Sequence, residues 1–339
     1  MSTNSQHNFI VLGGCGAIGR VVVRDLFESD RRNRITVADF RPVRHIRSSR
    51  VRVVFADASK PRELARIFRG HNVVINCTQH EFNLNVMRAA LLAGVHYLDL
   101  GGLFIWTRRQ LKLHGQFKRA GLTAILGMGC APGIVNVMTR AAAEKLGRIR
   151  SVKIRLGTKD FNPVPGFPYS AKTIMEELTL TAWIVQAGKL KEVPPRTGWE
   201  RVKFPKPVGW QWLVRTRHSE IATLPVTFKL RQCDFKVGFD RQFVRDVIAG
   251  KIPNKPVDRG RPDDYEIARV IVDGRVMECH ARSRKHESAG DVDTGCPPSI
   301  VAQMIATGLI TQRGVLPPEA AVPVAPFFRE LRKRGMIIK

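Results

Sequence analysis

The run FIVLG at 9–13 passes into GGCGAIG at 13–19 and then into the helical pattern RVVVRDLF, and nothing else in the chain restricts its fold so tightly. A short, continuously apolar run is what a buried parallel strand looks like. Gly14, Gly16 and Gly19 then fit GxGxxG, in which each glycine has its own steric task. The first permits the tight turn, the second lets the backbone approach a pyrophosphate, and the third lets the helix pack on the strand. With Ala17 and Ile18 in its first turn, the helix offers unpaired N–H groups and a partial positive charge to phosphates. A second strand, RITVAD, ends in Asp39, where an acid can bind a ribose 2′-hydroxyl. Its carboxylate would repel a 2′-phosphate, which favours NAD; Arg41 and Arg44 follow at once and could recruit that phosphate, which leaves NADP open.

Strand-like runs at 51–56, 73–78, 96–100 and 122–128 alternate with helical patterns at 61–69, 83–93 and 106–120. That alternation predicts an α/β Rossmann-type doubly wound parallel sheet, with ligands at the carboxyl ends of the strands. The residues at those ends are therefore the candidates. Asp57, followed by Ala58, could accept from an adenine amino group or cap the helix near Pro61. The backbone of Cys77, Thr78 and Gln79 could flank a nicotinamide ribose. His80 has the pKa range for proton transfer, or is an exposed loop histidine. Asp99 lies in an apolar strand, where a lone carboxylate is costly. It pairs with substrate or cofactor, or satisfies the Gly101-Gly102 turn. Gly129 and Pro132 close the series.

From 134 the pattern changes to a helix at 134–146, a strand at 152–157, a loop NPVPGFPYS, a helix from Ala171 to Ala187 capped by Gly188, and a hairpin at 266–282 turning on Asp273-Gly274. This predicts a second, α+β domain. The expected organisation is a dinucleotide-binding domain at 1–133, this second domain at 134–296, and carboxyl-terminal helices at 297–339. Its candidate contacts are Glu177, Arg215, Arg217, His218 and Glu220. An arginine suits a substrate carboxylate through paired hydrogen bonds, a glutamate suits an ammonium, and Glu220 could orient the ring of His218.

The chain carries 56 Lys+Arg against 29 Asp+Glu, a formal +27. Such an excess attracts polyanions without specificity, but the basic residues are dispersed and no aromatic–basic motif accompanies them, so no specific nucleic-acid partner is expected. No apolar run is long enough to cross a bilayer, and the polar start MSTNSQHN lacks the parts of a signal peptide, so the expectation is a cytoplasmic protein without a membrane partner. Six singly scattered cysteines read as reduced thiols, and no ligand spacing points to a metal.

On the glycine loop, on HEFNLNVMRAALLAGVHYLDLGG at 80–102, on LGMGCAPGIVNVM at 126–138, on EELTLTAWIVQAGKLKEVPP at 176–195 and on SIVAQMIATGLITQRGVLPPEAAVP at 299–323, the chain resembles the saccharopine dehydrogenase-like family. Within it the resemblance is to short members of the L-lysine 6-dehydrogenase kind. It implies a Rossmann domain completed by the carboxyl-terminal helices at 297–339 packing back on it, a domain at 134–296 for substrate binding and dimerisation, a homodimer, and NAD(P)-dependent oxidation of an amino-acid C–N bond or the reverse. HSEIATLP at 218–225 looks like a substrate-domain motif of the family, whereas KLRQCDFKVGFD after it lacks a match to the aromatic-glycine-histidine element. The expected substrate is a small amino acid such as lysine or a saccharopine-like compound. The alternative is a non-catalytic dinucleotide-binding sensor or scaffold whose basic surface holds an anionic partner.

Overall fold

The computed structural model describes residues 6–162, 171–239, 241–251 and 262–339. Apart from Asn162, the expected loop NPVPGFPYS lies outside the described residues. The chain divides into two compact units, Met1–Gly133 with Thr294–Glu330, and Ile134–Asp293 with Leu331–Lys339.

In the first unit β1 (His7–Leu12) is buried on both faces from Phe9 to Leu12, as a strand covered by helices on each side must be. It is followed by α1 (Ala17–Ser29), β2 (Asn33–Asp39), β3 (Val51–Phe55), α2 (Pro61–Phe68), β4 (Val73–Asn76), α3 (Asn83–Ala93), β5 (His96–Asp99), α4 (Leu103–Leu111), α5 (His114–Arg119) and β6 (Thr123–Ile125). The strands pair in parallel in the order β6-β5-β4-β1-β2-β3. The doubly wound α/β sheet is thus as the sequence predicts. The order reverses between β1 and β4, which opens the crevice where such sheets bind ligands. The helix expected over 106–120 is two helices. It starts earlier, at Leu103, and α5 starts afresh at His114, whose Nδ1 donates to the carbonyl of Val315 at 3.0 Å.

The second unit contains α6 (Ile134–Leu146), β7 (Ser151–Asp160), α7 (Ala171–Thr179), β8 (Ala182–Gln186), β9 (Lys189–Val193), β10 (Glu200–Lys203), β11 (Trp210–Arg215), α8 (Leu224–Phe228), β12 (Gln232–Gly238), α9 (Arg241–Ile248), β13 (Asp264–Val272) and β14 (Arg275–Arg282). Its mixed sheet runs β10-β11-β12-β7-β13-β14, with β8 joined to β12 and β9. The expected hairpin is β13–β14, turning through Asp273 and Gly274 at φ 45° and 87°. The helix predicted from Ala171 to Ala187 is corrected: it stops at Thr179, and the chain re-forms as β8. Ala187 and Gly188 both have positive φ, so Gly188 serves a hairpin turn rather than a helix cap. The segment Ala182–Gln186 carries Trp183, Ile184 and Val185, side chains that lose less freedom in a strand than in a helix.

One face of this sheet buries charge. Arg155 on β7 is 2% exposed and bonds the Asp234 carboxylate at 2.9 and 3.2 Å and Glu200 at 2.9 Å, while Lys236 reaches Glu200 at 2.6 Å. An unpaired guanidinium could not be buried so deeply.

The chain continues in α10 (Ala289–Ala306), β15 (Gly314–Leu316), α11 (Pro318–Ala321), α12 (Val324–Lys333) and β16 (Ile337–Ile338). The last predicted helix begins at Ala289, not at Pro297, because Ser288 and Asp291 form a reciprocal capping pair: each accepts the other's backbone N–H, at 3.0 and 2.9 Å. Gly295 then lets α10 approach α1, since a Cβ there would lie 2.6 Å from that of Val21. Beyond it, β15 joins the first sheet parallel to β6, and β16 joins the second sheet beside β14.

The acid sensitivity of the first unit follows from His96. Its Nδ1 accepts the N–H of Thr123 at 2.9 Å, and burial, with a contribution from Arg313, depresses its pKa from 6.5 to about 4. The folded state therefore binds this proton more weakly than the unfolded one. The stability it confers is complete above the unfolded pKa and is lost as pH falls from 6.5 toward 4. Thermal unfolding followed across that window should show a falling Tm, and His96→Asn, which keeps an acceptor without a titrating proton, should flatten the fall.

Candidate functional site

The glycine loop is built by contacts that no side chain could survive. A Cβ on Gly19 would lie 2.1 Å from the carbonyl oxygen of Gly13, and one on Gly14 would lie 2.9 Å from Val37. Gly13, at φ 79°, sits so close to β4 that a Cβ would meet the carbonyl carbon of Cys77 at 2.9 Å. Gly16 occupies the N-cap of α1 without a side-chain cap, so Ala17 and Ile18 begin the helix with N–H groups available to a phosphate. The cradle therefore fits a pyrophosphate. Asp39, at the end of β2, is tied to its mouth: its two oxygens accept the N–H of Cys15 at 3.0 Å and of Arg41 at 2.9 Å. The following loop is held by Cys15, whose sulfur takes the N–H of Val43 at 3.3 Å. The side chains of Arg41 and Arg44 are exposed beside it.

The other strand ends are less uniform. Asp57 commits Oδ1 to the N–H and hydroxyl of Ser59 at 2.9 and 2.6 Å, closing a turn before α2, whose N-cap is Lys60 rather than Asp57. Ala58 is half-buried in that turn. After β4, Thr78 turns its hydroxyl back to Asn76 at 2.7 Å, and the Cys77 thiol is pushed well above its usual pKa by burial and then by Asp99. Gln79 opens a single 3-10 turn containing His80, which is buried, with its ring 5.9 Å from that of Trp106. His80 is thus not the exposed loop histidine that the sequence allowed. Gly129 and Pro132 close a tight loop after β6, the N–H of Gly129 donating to Pro132 at 2.7 Å.

Asp99 satisfies the Gly101 turn, one of the two readings the sequence leaves open. It is 1% exposed, and four donors saturate it: Tyr97 at 2.9 Å and Gln110 at 2.5 Å on Oδ2, and the N–H groups of Gly101 at 2.9 Å and Gly127 at 2.6 Å on Oδ1. Burial still raises its pKa, against those four bonds. Asn76 extends the network to Asn83 at 2.8 Å, joining the ends of β4 and β5 to α3 and α4.

In the second unit, Glu177 and His218 come together, and Glu220 joins them. The imidazole lies flat on Phe235, centroids 3.6 Å apart at 11°, with Nδ1 2.6 Å from Glu220 and Nε2 3.7 Å from Glu177. All three polar side chains are at most 10% exposed. Burial alone would lower the pKa of His218, but Glu220 and then Glu177 outweigh it and the ring titrates above its ordinary value. Arg217 faces the other way, donating to the carbonyl and hydroxyl of Thr181 at 2.7 and 2.9 Å. Those bonds commit part of the guanidinium expected for a substrate carboxylate to holding the start of β8. Arg215 lies 3.8 Å from Asp234 in the ionic network of Arg155 and is not part of the His218 group.

Residues 9–125 match the protein-family model for the saccharopine dehydrogenase NADP-binding domain. Carboxynorspermidine synthase of Vibrio cholerae is 26% identical over 187 residues, 51% of this chain and 44% of that enzyme. Carboxyaminopropylagmatine dehydrogenase of Synechocystis is 28% identical over 152 residues, 40% of this chain and 37% of that enzyme. The matches thus span less than half of these relatives' length. In three dimensions, L-Glu-forming saccharopine dehydrogenase from Saccharomyces cerevisiae superposes with a TM-score of 0.70 at 15% identity, covering 98% of this chain and 99% of that one. Homospermidine synthase of Legionella pneumophila, determined with NAD, gives 0.72 at 12% identity, covering 100% and 93%. At these identities the structures establish the fold.

Two variants test the assignments. Gly19→Ala should weaken NAD and NADP binding at least about tenfold by calorimetry, because the helix must back away from the loop. Asp99→Asn turns an acceptor into a donor that faces donors. It should cost about 2–4 kcal/mol in urea unfolding while leaving residual nucleotide affinity in the folded fraction.

Proposed function

We propose that this chain, whose residues 9–125 match the model of the saccharopine dehydrogenase NADP-binding domain, is an NAD(P)-dependent oxidoreductase acting at the C–N bond of an amine-bearing substrate of the polyamine-precursor or amino-acid kind. The observation that carries the substrate side is electrostatic. In a chain of formal charge +27, the buried carboxylates of Glu177 and Glu220 bracket His218. Two carboxylates against one imidazole make the group locally acidic, which suits a protonated amine. The names of the relatives, carboxynorspermidine synthase, carboxyaminopropylagmatine dehydrogenase and homospermidine synthase, favour polyamine-type amines over lysine.

The glycine loop would hold the pyrophosphate, with Ala17 and Ile18 supplying N–H groups, and Asp39 the adenosine ribose. When bound, the nicotinamide supplies acceptance or donation of hydride. Glu177 holds the substrate ammonium, and His218 takes or returns its proton at Nε2. Asp39 favours NAD, and the exposed Arg41 and Arg44 keep NADP within reach. A homodimer in the cytosol completes the proposal; light scattering at twice the monomer mass checks the assembly.

The test follows absorbance at 340 nm with NAD and NADP across diamines, their carboxylated and aminopropyl derivatives, saccharopine and lysine, and in reverse with aldehyde–amine pairs. Turnover highest with polyamine-type substrates, reduced at least about hundredfold by His218→Asn, supports the reading. Cofactor binding with no turnover of any amine would instead favour a dinucleotide-dependent sensor.

A further inference from the structure

We infer that Glu220 is the positioning residue for His218: its carboxylate fixes Nδ1 as the protonated nitrogen, so that Nε2, which points to Glu177, is the atom that exchanges a proton with an amine. The inference rests on reading this cluster as the acid–base site. Glu220 is 0% exposed, and its Oε2 lies 2.6 Å from Nδ1, short for a hydrogen bond and of the length that charge assistance gives. Among the described residues its Oε1 has no hydrogen-bond partner, so the imidazole carries nearly all the compensation for burying this carboxylate.

The backbone enforces the pairing. His218 is extended at the head of the 3-10 turn Ser219–Ala222, and that turn folds Glu220 back beneath its own ring. The turn is closed by the N–H of Thr223 on the carbonyl of Glu220 at 3.1 Å, and the hydroxyl of Thr223 accepts from Asn136 of α6 at 3.5 Å. Stacking on Phe235 at 3.6 Å and 11° fixes the ring plane, and a half-turn of the ring within that plane would put a carbon in place of Nδ1 opposite Glu220 and lose the hydrogen bond. Among the described residues, the charged groups facing the ring are Glu220 from its own turn and Glu177 from α7, while β12 presents the uncharged Phe235. Arg217, next in sequence, gives its Nε and one Nη2 donor to Thr181. The raised titration of His218 agrees with this arrangement. A proton removed from a substrate ammonium would reside on Nε2, and the positive charge it creates would be shared with Glu220.

The test uses the full chain labelled with 13C and 15N histidine, the His218 signals being identified by their loss in His218→Asn. Ring 15N shifts in the wild type should show Nδ1 protonated at every pH; a neutral ring protonated only at Nε2 would overturn the proposal without any variant. Glu220→Gln should lower the His218 midpoint by about one pH unit or more, a tenfold loss of proton affinity. The acid limb of kcat/KM should move the same way, kcat falling more than KM rises. Glu220→Asp should restore most of both. A midpoint unmoved in folded Glu220→Gln refutes the positioning role whatever the turnover. A midpoint that moves in a protein that turns over no amine leaves the Glu220 contact standing and removes the acid–base reading beneath it.

Discussion

Backbone against backbone, at a distance no Cβ allows, is the constraint on which the first unit depends. Gly13 touches the chain at Cys77, and Gly19 touches Gly13, so β1, β4 and the first turn of α1 share one small volume. That closeness lets helix N–H groups face a phosphate with no side chain intervening. It also fixes where the end of β2 must lie, and Asp39 reaches the loop through the N–H of Cys15. The cofactor cradle is thus a product of packing before it is a product of charge.

The two units handle buried carboxylates in opposite ways. Asp99 is surrounded by four donors from Tyr97, Gln110, Gly101 and Gly127, none of which can take up a proton at ordinary pH. Its hydrogen-bonding capacity is filled within the fold. Among the described residues the Glu220 carboxylate has one hydrogen-bond partner, and that partner titrates. The same burial that makes Asp99 a structural pin makes Glu220 responsive to whatever changes the charge on His218.

How much of this was legible depends on how far apart in sequence the cooperating residues stand. The doubly wound sheet could be read because strand and helix periods repeat locally and the glycine loop is contiguous. The hairpin at Asp273-Gly274 was visible for the same reason. The apolar run at 182–186 suits a helix as well as a strand, and Gly188 ends a helix as readily as it turns a hairpin, so local pattern alone does not separate the two. Pro297 and Pro298 drew the start of α10 too far along, although Ser288 and Asp291 carry the capping signal. The role of Asp99 was undecidable from its neighbours, since Gln110 and Gly127 reach it across 11 and 28 residues. His218 beside Glu220 could be suspected at a spacing of two; the approach of Glu177 from α7, and the burial of Arg155 between β10 and β12, could not.

The strand β15 has a further consequence, for the order in which the molecule can come into being. It lies on the flank of β6, so Gly314 pairs with Thr123 although nearly the whole second unit is translated between them. While the ribosome is still making that insert, the emerged sheet ends in a row of unsatisfied peptide groups. Closing that border waits until Gly314–Leu316 emerge, a long-range contact of the kind that slows folding and exposes nascent chains to mispairing. A shortened product that stopped before residue 314 would keep its glycine loop and still present an open strand to its neighbours.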